Sequence, residues 1–476
     1  MTYLCLTLCA FVVQACGDDK HRAKSGGEAA SGLQPRSLQQ IVESGKLRAY
    51  TTYSATGYFL YNGEPMGFEY EMLKRFASSL DIELELIVSH QRDSVFDLLE
   101  SAEIDLAAMS LTVTKERRQR AAFSEPLYLT RQVLVQRKPP NWRRQHWSRW
   151  QQELIREPLD LIGDTVSARV HTSFMQRLHH LSEELGGEII VDSMPGHLST
   201  EEILHMVARG EIKQAISDEN LASFHAAYLP ELDIQVPISF SQQVAWAVHP
   251  QADDLLFAIN TWLQEEKRKP DFNVIYKKYF RHSPRSRQRL RSQYYSLRSG
   301  AIGPYDAVIR ESAMQIGWDW RLLASLIFQE SRFDSLAESA AGAMGLMQIM
   351  PATAMDLGLS DVLDSEQNIR AGARYLQSLW DRFEDIPDST DRYKFTLAAY
   401  NAGFGRIRDA QRLTEKYEKD PLRWEDNVAD MVLAMSEPEY YQDSLVRYGR
   451  LRGRETYYYV QEIFERYRHY CGFIDS

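Results

Sequence analysis

Glu330 is the residue best placed to do chemistry. It closes an apolar helical run (Trp320, Leu322, Leu323, Leu326, Ile327) and precedes a turn of small residues, Ala340, Ala341, Gly342 and Ala343. A second helix is expected to begin near Gly345 and to carry Gln348. A carboxyl at the buried end of a helix, faced by a glycine-rich turn, loses the water that would stabilise its charge. It therefore keeps its proton near neutral pH and can donate it. Asp334 follows on the same stretch. On a terminating helix such a residue reads as a cap or turn former rather than as a second reacting carboxylate.

The cysteines suggest different chemistry. Cys5, Cys9 and Cys16 crowd the start and Cys471 stands alone near the end, which builds neither a disulfide framework nor a metal cluster. The opening MTYLCLTLCAFVVQAC is a short apolar run ending in a small residue and a cysteine. It reads as a lipoprotein signal over residues 1–16, with cleavage before Cys16 and lipid on its thiol. No Lys or Arg precedes the run, so a plain secretory leader or a misplaced start stays open. The run is too short to span a bilayer permanently. Cys471 is then an unpaired thiol, expected to be packed.

The elements that must position Glu330 belong to a chain too long for one core: 476 residues imply two or three domains. A net charge of −11 argues against nucleic acid as a partner. No cofactor or metal is expected, and His179 and His180 read as solvated. Residues 17–36 are polar and rich in Gly, Ser and Ala, a flexible tether. Residues 37–282 alternate strand and helix patterns, as parallel sheets flanked by helices do. The Trp- and Arg-rich stretch 140–158 reads as an amphipathic helix packed on its own domain, with a sugar or lipid headgroup contact as the alternative. A basic polar connector fills 283–300, and residues 301–476 carry helical apolar spacing throughout.

The residues Glu330, Ser331, Phe333, Ala337, Ser339, Gly342, Ala343, Gly345 to Gln348, Met350, Pro351, Thr353 and Ala354 resemble the signature of the family 1 soluble lytic transglycosylases, lysozyme-like enzymes that cut peptidoglycan. The resemblance implies that Glu330 acts as acid and then base, leaving 1,6-anhydromuramic ends. It also implies that Ser339 holds an N-acetyl group or orients the glutamate, and that Gln348 and the Met350 backbone line the sugar cleft. Tyr400 and Asn401 match an AYNAG element whose tyrosine bonds the reacting carboxyl, and Glu455 and Tyr459 match a late element that closes the cleft.

The order of motifs from Gly67–Glu71 through Asp105 to Tyr128 resembles the family 3 periplasmic solute-binding proteins, two-lobed amino-acid receptors. That resemblance places a second lobe at about 141–237 and a ligand pocket at Ser110, Thr112, Arg117, Thr172 and Asp218. Arg117 would take a carboxylate and Asp218 an ammonium.

The expected architecture is multidomain: a two-lobed α/β domain of the periplasmic-binding-protein kind, then a lysozyme-like domain dominated by α-helix. The expected protein is a periplasmic, membrane-anchored enzyme, on the outer membrane, acting on peptidoglycan strands. An amino acid or muropeptide would be its effector. A hydrolytic muramidase and a glycan-binding receptor remain the rival readings.

Overall fold

The computed structural model describes residues 34–89, 94–170, 172–196, 198–281, 283–292, 294–295 and 300–474. Cys16, the signal segment and residues 17–33 of the tether lie outside them. The last tether residue that is described, Arg36, is docked: its guanidinium grips the nearly buried Asp105 carboxylate, which Arg48 also holds at 2.8 Å.

Two sheets form the N-terminal lobes. In the first, the order is Glu83–Ser89, Lys46–Thr52, Leu106–Thr112, Gln242–Val248, Ala122–Phe123, with Tyr128–Thr130 also on Gln242–Val248. The first three strands run parallel and Gln242–Val248 runs against them. Leu47 and Ala49 enter one apolar core and Tyr50 the other, so both faces of the sheet are covered, as parallel strands require.

In the second sheet the order is Ile190–Met194, Thr165–Arg169, Gln214–Asp218, Gln132–Arg137, Leu232–Pro237. This sheet opens at Gln132, earlier than the boundary near 141 that the sequence suggests. The strand QVLVQR belongs to it because Val133 and Val135 fill one core while Leu134 fills the other. Two chain segments cross between the lobes and bond each other, Ile238 N to Gln132 O at 2.9 Å and Gln132 N to Ser239 Oγ at 2.8 Å.

Two further expectations change. The Trp/Arg stretch is not one helix but three short turns, Trp142–Arg144, Trp147–Trp150 and Gln151–Glu153, broken where Gln145 is extended. The connector contains a helix, Pro284–Arg291, started by a reciprocal Ser283/Ser286 cap with proline in its first turn.

The C-terminal region is a helical bundle around Trp320–Ser331, with Ser365–Asp381, Ser389–Ala402 and the long Gly453–Phe473 packed on it. That last helix continues past the bundle onto the first lobe. The Tyr470 hydroxyl donates to Gly63 O at 2.7 Å, Tyr58 bonds His469, and Tyr53 packs on Phe473 with ring centroids 4.1 Å apart. Leu60, on the hairpin Phe59–Met66 of the first lobe, sits in the bundle's own core. At the hairpin tip Gly63 has φ +74, and a Cβ there would lie 2.7 Å from Phe333. The two domains are therefore keyed together. Cys471 is exposed rather than packed, because it lies on the outward side of this helix. No helix among the described residues is long and apolar enough to cross a membrane.

Candidate active site

Helix Trp320–Ser331 starts at Asp319, whose side chain accepts from Arg321 N, and buries Leu322, Leu323, Leu326 and Ile327. It stops at two successive left-handed residues, Arg332 (φ 51) and Phe333 (φ 63), a costly conformation for residues with side chains. The surroundings hold it. Ser331 Oγ donates to Leu346 O at 2.8 Å, and buried Phe333 packs edge-on to Phe328 at 5.8 Å. Glu330 thus sits in the last turn of a pinned helix.

The loop facing it is tied to itself. Ser339 N donates to Ala343 O at 2.9 Å while Ser339 Oγ accepts from Ala343 N at 2.9 Å. Gln348 Nε2 donates to Ala337 O and Gly345 O, each at 3.0 Å. The fully buried Asn368 accepts from Met347 N at 2.8 Å and donates to Met344 O at 3.2 Å and Val362 O at 2.8 Å. Gly345 (φ +77) leaves no room for a Cβ against Asn368 Nδ2, and Gln348 is left-handed at φ 48. These conformations rule out the helix expected from Gly345. The helix begins instead at Pro351, which occupies the first turn behind the exposed cap Met350.

The Glu330 carboxyl oxygen Oε1 accepts a hydrogen bond from the Tyr459 hydroxyl. Burial pushes this carboxyl up to about 7, while the Tyr459 hydrogen bond pulls it the other way. The tyrosine expected to make that bond was Tyr400. Its hydroxyl lies near the carboxylate but is taken by Met347 O at 2.6 Å, so it braces the loop instead. Burial holds both phenols well above their usual range, so each remains a donor.

Asn401 Oδ1 accepts from Thr456 Oγ1 at 2.8 Å and joins its helix to the last one. Glu455 is exposed and pairs with Arg452 at 3.4 Å. Asp334 is exposed and its Oδ1 accepts from Leu336 N at 3.0 Å, the turn role its position suggests. A carboxyl titrating near neutrality can give a proton and take one back with little driving force wasted in either direction.

A cleft of about 370 Å³ lies between the lobes and is lined by Ser110, Thr112, Arg117, Thr172 and Asp218, all five residues expected there. Ser110 is left-handed (φ 54), and both its N–H and its hydroxyl go to Glu69 Oε1, at 2.8 and 3.0 Å. Trp246 Nε1 donates to the other oxygen of this buried carboxylate at 2.8 Å. Arg117 is braced by Thr112 O at 2.8 Å. Sequence reading missed Arg169, which lines the same cleft from the second lobe. The available signal was its place at the C-terminal end of a strand, where open α/β sheets present residues to ligands. The lobes already touch through Ala55 N to Glu201 Oε1 at 2.8 Å.

Comparison with known proteins matches the same two parts. A family model for the transglycosylase SLT domain matches residues 307–422, and one for bacterial extracellular solute-binding proteins, family 3, matches 47–282. A membrane-bound lytic murein transglycosylase F from Desulfosudis oleivorans is 34% identical over 432 residues, covering 91% of each chain. One of the same name from Photobacterium profundum is 29% identical over 442 residues, 92% of this chain and 82% of its own. An ancestral arginine-binding protein solved with arginine is similar over 50% of this chain and 98% of its own, at 23% identity and a TM-score of 0.41.

Proposed function

Because this chain belongs to the membrane-bound lytic murein transglycosylase F family, we propose that Glu330 serves it as acid and base in turn. The chain is a peptidoglycan lytic transglycosylase with an N-terminal solute-binding-like domain, a membrane-associated periplasmic enzyme. The protonated Glu330 carboxyl gives its proton to the glycosidic oxygen between N-acetylmuramic acid and N-acetylglucosamine as the bond from C1 breaks. The muramic 6-hydroxyl then bonds to C1, and its proton returns to the Glu330 carboxylate. One carboxyl suffices, and no water is consumed.

The observation that carries this reading is the Glu330 carboxyl itself, pushed up to about 7 and oriented by the Tyr459 hydroxyl. Ser339, Gln348 and Tyr400 contribute by fixing the loop against which the sugar lies. Met350, Asn401 and Glu455 are assigned to sugar contacts beside that loop in the same reading. Domains at 37–282 and 301–476 belong to the same reading, supported by two sets of cores that meet where Leu60 of the first enters the second.

The cleft between the lobes is a regulatory pocket for an amino acid or cell-wall peptide, its carboxylate on Arg117 and its ammonium on Asp218. Ser110, Thr112 and Thr172 shape that pocket. Attachment is through lipid on Cys16, at the outer membrane.

Glu330→Gln tests the central assignment. The amide cannot exchange a proton, so cleavage should fall by about 10³-fold while melting stays cooperative. Muropeptide release near the parent rate would sink it.

A further inference from the structure

Residues 139–156 leave the second lobe between strands Gln132–Arg137 and Thr165–Arg169 and return to it with one side fully used. Trp150 is 8% exposed and stands edge-on to Trp142 at 5.9 Å. The Lys138 ammonium lies 4.4 Å over the Trp142 ring, and Arg156 reaches the buried Asp233 at 3.2 Å. Gln136 fastens the end of the excursion through the backbone of Ile155, at 2.9 and 3.0 Å.

The other side is less used: the Arg143 guanidinium lies 5.4 Å over the Trp142 ring and the Trp147 ring stands 5.9 Å from that of His146. Arg143, Arg144, Trp147 and Arg149 are all exposed. The chain has nine tryptophans, and Trp147, at 61%, is the one that stands in solvent; the rest are buried or half-buried. None of these three arginines joins an ion pair among the described residues. Three arginines within seven positions of the chain, flanking an exposed indole in sequence, are out of keeping with a net charge of −11.

We propose that this face is a second membrane contact, binding anionic lipid headgroups through Arg143, Arg144 and Arg149 with the Trp147 ring at headgroup depth. Guanidinium groups pair with phosphate in a fork, and indole rings settle at the interface between headgroups and acyl chains. A basic patch adds attraction to a negative leaflet that salt can screen. The proposal rests on the membrane attachment put forward above. A lipid on Cys16 would hold the chain near the bilayer, and this face would set which side of the second lobe lies against it.

The test uses the full chain carrying Cys16→Ser, sedimented with vesicles of phosphatidylcholine alone or mixed with phosphatidylglycerol. Retention should be at least about tenfold higher on the anionic vesicles and should disappear at about 0.5 M salt. Arg143→Glu/Arg144→Glu/Arg149→Glu should abolish the difference and Trp147→Ala should reduce it, with glycan cleavage unchanged in both. Equal retention on the two vesicle types, or a difference untouched by these substitutions, overturns the proposal. So does loss of binding to purified sacculi in the triple variant while vesicle retention stands, which would make the face a glycan contact. The anchor is separable. Salt-resistant membrane retention lost in Cys16→Ser reports the lipid, and salt-washable retention lost in the triple variant reports this face.

Discussion

The catalytic loop and the receptor cleft are built in opposite ways. Around Glu330 the polar groups are spent on the protein itself. Ser339, Gln348, Tyr400 and Asn368 all bond loop backbone, and two left-handed residues beyond the helix are locked by packing. The cleft between the lobes also ties Ser110, Arg117 and Thr172 to protein atoms, but it collects its side chains from separate segments on two lobes joined by two crossing segments. Proton transfer needs a carboxyl that stays in place, so rigidity is bought locally. Ligand capture needs lobes that can move, so the recognition groups are carried on separate bodies.

Substitutions can break or sharpen that contrast. The largest effect on stability is expected at Asn368, which is fully buried and holds three loop groups. Asn368→Ala should cost about 2–4 kcal/mol of stability, since buried backbone donors and acceptors lose their partner, and should remove most activity. Chemical denaturation read beside turnover checks this; a variant as active and stable as the parent would mean the loop is not fixed by these bonds.

Tyr459→Phe comes next. The lost hydrogen bond favours the carboxylate, so the Glu330 pKa should rise above about 7. The alkaline limb of the rate profile should therefore move to higher pH. Turnover should fall by about 10- to 100-fold, the equivalent of one hydrogen bond to a charged group. An alkaline limb that stays put or moves down would detach Tyr459 from the acid.

The smallest effect on basal cleavage is expected from Arg117→Ala, which should abolish binding of amino acids or stem peptides in a calorimetric screen while turnover without ligand is unchanged. Binding that survives would remove Arg117 from the pocket.

How much could be read in the sequence follows the same contrast. The catalytic loop is continuous in the chain, so the signature from Glu330 to Ala354 located it without knowledge of any distant contact. What stayed hidden were backbone states and facing partners. Nothing in GLMQ announces that Gly345 and Gln348 are left-handed, and nothing tells which of Tyr400 and Tyr459 turns to the carboxyl. The five cleft residues were placed by resemblance, while Arg169 escaped because its role depends on how two lobes face each other. The wedge of Gly63 against Tyr470 joins residues 407 positions apart, beyond the reach of any local pattern. Cys471 was misjudged because a helix's outward side depends on what it packs against.

The central claim is that a single carboxyl at Glu330 cuts the glycan and takes its proton back from the sugar. Digestion of sacculi in heavy-oxygen water, with mass analysis of the new ends, tests this most directly. Expected are 1,6-anhydromuramic ends without the label. Labelled reducing ends would show that water attacks, and would contradict a mechanism that Glu330 completes alone.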